Sequence, residues 1–191
     1  MAMSKRELRN EGQRGFTLIE VMISMLILVI GLVALLALFA NTLATMHMAQ
    51  QDLIAKQKAM EAMETIFAAR NDAQIGYAQI NNVSNGGIFT DGWTPLYGAG
   101  TNGIIGTTTT SGGSTTVESV VTPGPDGVIG TTDDVTTPLT NFQRQITIGP
   151  TYNPDASVNP NLKTITVAVQ YTAPPFPART FTVQSLISSY R

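Results

Sequence analysis

From Val21 to Ala40 the chain runs for 20 residues without a charged side chain, and Ser24 is the one clearly polar group among them. As a helix rising about 1.5 Å per residue, this run reaches roughly 30 Å, the thickness of a bilayer's hydrocarbon core. A core helix of a soluble domain would keep a polar stripe. This run is apolar all round and reads as a membrane span. Lys5, Arg6, Arg9 and Arg14 precede it, and the next basic residue after it is Lys56. That asymmetry predicts a cytoplasmic N-terminus, with the chain beyond the span on the far side. A secretory signal has a shorter apolar core and a small-residue cleavage site after it. Here the small-residue break, Gly15, comes before the run.

Composition removes most catalytic classes. The 191 residues contain no cysteine and one histidine, which excludes a disulfide scaffold, a thiolate metal site and a thiol nucleophile. His47 lies between Met46 and Met48, but adjacent helical residues point in different directions, so they form no ligand set. No nucleophile–base pair is evident, and the chain reads as a non-enzyme. The net charge of −2 and pI near 5.3 supply no basic face for nucleic acid. Without residues 1–15 the balance is seven basic against eleven acidic side chains, a formal −4.

Immediately before the span stands Gly15-Phe16-Thr17-Leu18-Ile19-Glu20. A carboxylate inside an apolar helix costs about 2.5–3.5 kcal/mol near the bilayer centre, so such a group usually has a partner. Glu20 can snorkel at the interface. It can also be held for a cation, and cutting after Gly15 creates one, the free amine of Phe16.

The string GFTLIEVMIS behind a short basic leader resembles the N-terminus of type IV prepilins and type II secretion pseudopilins. The mature stretch ISMLILVIGLVALLALFANTLATMHMAQQDLIAKQKAMEAMETIFAARN is similar to PilV-like minor pilins. Residues 16–94 lack the helix-breaking proline of many major pilins, and the common C-terminal disulfide loop is missing. The resemblance implies cleavage between Gly15 and Phe16 by the prepilin peptidase, N-methylation of Phe16, and pairing of Glu20 with the N-terminal amine of a neighbouring subunit. It implies an inner-membrane protein that moves to the periplasm and the pilus at the cell surface. Its partners would be the peptidase, other minor and major pilins, and the pilus assembly platform.

The helix is expected to run from about Phe16 to Arg70. Met46, Leu53, Met60 and Phe67, with Ala49 and Met63, recur as the stripe that should pack on a globular domain. Residues 85–140 are rich in Gly, Thr, Ser and Asp, with turn signals at Asn85-Gly86, Asp91-Gly92 and Asn102-Gly103. Phe89, Trp93 and Tyr97 are expected to cover the helix, and Thr107–Ser114 to be mobile. Period-two alternation then predicts three strands, around Ile146/Ile148, Ile165/Val167/Val169/Tyr171 and Phe181/Val183. Pro174, Pro175 and Pro177 stiffen the turn between the last two. The predicted fold is α+β and pilin-like: a long N-terminal helix, transmembrane in its first half, packed on a small antiparallel sheet. The expected segments are a leader 1–15, a span 16–40, an amphipathic continuation 41–70 and an exported β-rich domain 71–191.

Two segments match at an offset of 24 residues, NGIIGTTTT from Asn102 and DGVIGTTDD from Asp126. Asp126, Asp133 and Asp134, with glycines 124, 127 and 130 permitting turns, are candidate calcium ligands, since calcium takes six to eight hard oxygens. The segment PGPDGVIGTTDDV also resembles the calcium loop of the major pseudopilin of type II secretion. A solvated acidic turn is the alternative. These features point to a minor pilin that joins or primes a type IV pilus, with a secretion-system pseudopilin or a pilus-tip adhesin as the other readings.

Overall fold

The computed structural model describes residues 15–174 and 176–190. The basic leader 1–14, Pro175 of the proline cluster and Arg191 lie outside them. The chain divides into two compact units, Met1–Thr45 and Met46–Arg191, and helix α1 (Leu18–Asn71, 54 residues) contributes to both.

In the first unit the apolar side chains face outward on every side, from Ile19 to Leu43. Among the described residues α1 is the one helix long and apolar enough to cross a membrane, and its apolar window is unburied. Apolar area left in water costs roughly 25 cal/mol per Å², so such a helix needs lipid or other helices around it.

In the second unit α1 buries Ala55, Ala59, Ala62, Met63, Ile66, Ala69 and Arg70. This corrects the expected stripe in part: Met63 is buried and Phe67 packs against the core, but Ala49 is exposed and Met46, Leu53 and Met60 are 65%, 65% and 52% exposed. The seven-residue period is present, but with a different phase. Alanines are strong helix formers with no side-chain entropy to lose, and their small volume lets the sheet come close. The bulk in the core comes from the strands, which share one cluster with these alanines.

The main sheet is antiparallel, with β1 (Thr94–Pro95), β4 (Phe142–Tyr152), β5 (Val158–Tyr171) and β6 (Arg179–Ser188) in the order β1-β4-β5-β6. The last three are the strands that the alternation predicts. Register aligns their apolar rows: Ile146 opposite Val167, which is opposite Val183, and Ile148 opposite Ile165. Each row puts β-branched or aromatic side chains side by side on the core face, the pairing that stabilises a sheet. Phe142 and Tyr171 sit opposite one another with ring centroids 5.5 Å apart. A separate two-stranded sheet pairs β2 (Ser119–Thr122) with β3 (Val135–Pro138); the sequence pattern does not announce it, because nearly all its side chains are exposed. One long N-terminal apolar helix followed by a small antiparallel sheet is the pilin-like α+β order expected.

Candidate processing and assembly site

Gly15, Phe16 and Thr17 precede the helix and are exposed, Phe16 to 82%. The Gly15–Phe16 bond therefore lies outside the helix, where a peptidase can reach an unwound backbone. Thr17 occupies the N-cap position: its Oγ1 accepts the Glu20 amide at 3.4 Å, and its carbonyl accepts the Glu20 and Val21 amides at 3.1 and 3.2 Å. Thr17-Leu18-Ile19-Glu20 thus has the spacing of a capping box, with Glu20 in the third helical position. An acidic group in the first turn also complements the positive end of the helix dipole. T-x-x-E before an apolar run is itself a legible signal of this cap in the sequence. Glu20 makes no side-chain hydrogen bond or ion pair among the described residues, so its carboxylate is available to a cation.

Two ionic contacts in the second unit tie α1 to the rest of it. Lys58 Nζ meets Glu61 at 2.8 Å and Glu118 at 2.5 Å, and Arg144 Nη1 reaches Glu118 at 3.2 Å. Glu118 and Arg144 are buried, and Arg144 also donates to the Tyr97 carbonyl. Burial pulls Lys58 down, but hydrogen bonds and charge from Glu118 and Glu61 outweigh it and hold the ammonium above its ordinary value. Burial lowers Arg144, and Glu118 offsets part of that. Further along, the Tyr171 hydroxyl donates to Asp52 at 2.6 Å, and Arg179 closes on the same carboxylate at 2.8 Å. Burial, then the Asp52 hydrogen bond and charge, push the Tyr171 phenol up to about 12. None of these groups was singled out from the sequence as a site.

The two echoing loops share one local design. Asn102 Oδ1 accepts the Ile104 amide and Asp126 Oδ1 accepts the Val128 amide, both at 2.9 Å. Thr107 Oγ1 donates to the Ile104 carbonyl as Thr131 Oγ1 does to Val128. Gly103 and Gly127 take φ of 69° and 70°, which only glycine adopts without strain. Their environments differ: Ile104 and Ile105 are buried, whereas Val128 and Ile129 are 55% and 67% exposed. The segment expected to be mobile, Thr107–Ser114, is hydrogen-bonded to the first loop. Asn102 Nδ2 holds both Thr107 Oγ1 and the Ser111 carbonyl at 2.8 Å, and Thr107 is buried. Phe89 is in the core as expected, and Trp93 is 40% exposed.

In the second loop the carboxylates serve the turn itself. Asp134 Oδ2 accepts the Gly130 and Thr131 amides, and Asp133 Oδ1 accepts the Thr131 hydroxyl at 2.7 Å. That hydroxyl, the largest influence, and backbone amides hold Asp133 below the usual carboxylate range. One oxygen, Asp134 Oδ1, is buried without a partner. Among the described residues no three acidic or histidine side chains converge as a metal group, so the loop offers no ready-made carboxylate cage.

No curated protein and no solved structure matches the chain. One family model does, the prokaryotic N-terminal methylation motif, over residues 11–36. The match covers the Gly15–Phe16 bond, the capped first turn with Glu20, and most of the apolar run. The chain therefore carries the processing signal of type IV pilin-like prepilins, at the start of a helix fit to span a membrane.

Proposed function

We propose that this chain is a minor pilin of the PilV-like kind, a structural subunit of a type IV pilus. The prepilin peptidase cuts between Gly15 and Phe16, and the new Phe16 amine is methylated. The subunit waits in the inner membrane, with its leader cytoplasmic and residues beyond the span in the periplasm, until the assembly platform loads it among other minor and major pilins. Chemistry is done to this protein, not by it. The supporting observation is a carboxylate, Glu20, held in the first turn of an exposed apolar helix with no partner among the described residues.

Opposite charges about 4 Å apart attract by several kcal/mol at low effective dielectric, and a buried carboxylate without a partner is penalised. A neighbour's Phe16 amine in register with Glu20 would satisfy both conditions. Glu20→Ala is expected to leave membrane insertion intact and to reduce the amount of this chain in sheared pili. Incorporation equal to wild type would contradict the pairing.

The type II secretion pseudopilin reading is favoured by the acidic loop at 124–134. Calcium at this loop is a proposal resting on the sequence pattern and on the unpartnered Asp134 Oδ1. Binding would require Asp133 and Asp134 to trade amide and hydroxyl donors for the ion. Millimolar calcium is then expected to raise the melting temperature of the chain in detergent, and Asp134→Asn to abolish the rise. An unchanged wild-type melting temperature would leave the loop a self-capped turn. The adhesin reading draws on the cavity of about 250 Å³ bordered by Thr90, Thr94, Thr108, Thr109 and Thr115, whose hydroxyls suit a sugar.

A further inference from the structure

The two edges of the main sheet are finished differently. On the β4 side, β1 pairs with Gln143 and Arg144. Beyond it the buried Asn82 amide imitates a strand, donating to the Ile146 carbonyl and accepting the Ile148 amide, both at 2.8 Å. That edge is closed. On the other side, β6 pairs with β5 from Arg179 to Ser188 without a bulge. Among the described residues no backbone group hydrogen-bonds to its outer edge. Natural sheets protect such edges with charges, prolines or bulges. From Thr180 to Ser188 this strand has no charge and no proline.

The space beside that edge is bounded by α1 and sets apolar side chains, Leu53, Met60 and Phe181, among charged ones. Arg179 at the start of β6 meets Asp52 on the helix, and the Ser189 carbonyl just past its end accepts Arg70 at 2.7 Å, so β6 runs beside the helix from Asp52 to Arg70. An open groove of about 590 Å³ lies between Ala49, Asp52, Leu53 and Lys56 of α1 and Arg179 and Phe181 of β6. A second, of about 510 Å³, continues from Leu53 and Lys56 past Met60 to Glu64. Phe181 and Val183 are only partly buried, and Leu53 and Met60 are the outward helix residues described above.

We propose that β6 and this groove receive an extended strand from a partner protein, which adds to the sheet as its fifth member. A row of unpaired N–H and C=O groups is satisfied along its length only by another extended backbone, and a groove on one face selects for alternating apolar side chains. Charge fixes the rest of the occupant. At the Arg179 end stand Lys56 and Arg179 against Asp52, and no ion pair among the described residues engages Lys56; at the other end stands Glu64. The incoming strand carries a carboxylate at the end beside Lys56 and a cation toward Glu64. This reading does not depend on the minor-pilin proposal.

The probe is a synthetic peptide of alternating valine and threonine, matched in length to β6, with lysine at one end and aspartate at the other. The control is the same peptide with alternate backbone amides N-methylated, which cannot pair. With the full chain in detergent, the valine–threonine peptide is expected to slow amide exchange in β6 by about tenfold or more. The N-methylated control is expected to leave it unchanged. Leu53→Asp, at an exposed position the fold does not need, is expected to keep β6 exchange normal without peptide and to remove most of the slowing. No slowing with the peptide, equal slowing with the control, or full slowing in Leu53→Asp would each overturn the proposal.

Discussion

Glu20 and Tyr171 illustrate what single residues do here, and how differently they were visible. Glu20 stands out in the sequence as a charge at the head of an apolar run. Its cap, Thr17, is as local and could be read from the same four residues. The Asp52–Tyr171–Arg179 contact and the Lys58–Glu118–Arg144 contact join positions more than a hundred and more than fifty residues apart, measured from the helix to the strands and loop. No short pattern encodes them, because their partners are chosen by the fold. The Tyr171 phenol favours its protonated form in the fold, with a value near 12 against an ordinary 10.0. A raised value means this contribution to stability is complete below pH 10 and is lost as pH climbs through about 12. Lys58, also raised, acts in the same sense above its ordinary 10.5. Asp52→Asn removes the charge and leaves burial alone, so Tyr171 is expected to ionise at lower pH than in wild type. Absorbance titration with Tyr171→Phe as the reference measures this. An unchanged titration would show that Asp52 does not hold the proton.

At the scale of elements, three strands and the helix were legible because period-two and helical patterns are local. The phase of the helix was not. Met46, Leu53 and Met60 repeat every seven residues, and so does the buried alanine-rich face. Periodicity reports that a face exists. Which face is buried depends on the volume the opposing sheet supplies, here from Phe142, Ile146, Ile165 and Val167. The exposed methionines and the buried alanines make a sharp contrast. Ala59 is fully buried, and Ala59→Leu is expected to cost about 1–3 kcal/mol or more by overpacking. Met60→Ala, one residue on, is expected to stay within about 0.5 kcal/mol, since its side chain is exposed. Thermal unfolding in detergent ranks the two variants. The reverse order would return the helix to the face first expected. The echoing loops carry the same lesson: their shared turn chemistry is legible in NGIIG and DGVIG, but not that the first pair of apolar residues goes into the core and the second faces out.

For the whole molecule, the proposed function makes one processing event decide where the rest of the chain can go. The motif at residues 11–36, the exposed bond after Gly15 and the apolar length of α1 support the proposed precursor, whose leader would be removed while the helix is kept. A secretory signal would lose the helix instead. The direct test is intact-mass and N-terminal analysis of the chain recovered from membranes and pili of its native host. The expected mature protein begins at Phe16, carries an N-methyl group and retains the apolar segment. A chain that keeps residues 1–15 after reaching the surface, or one that begins beyond Ala40, would contradict it.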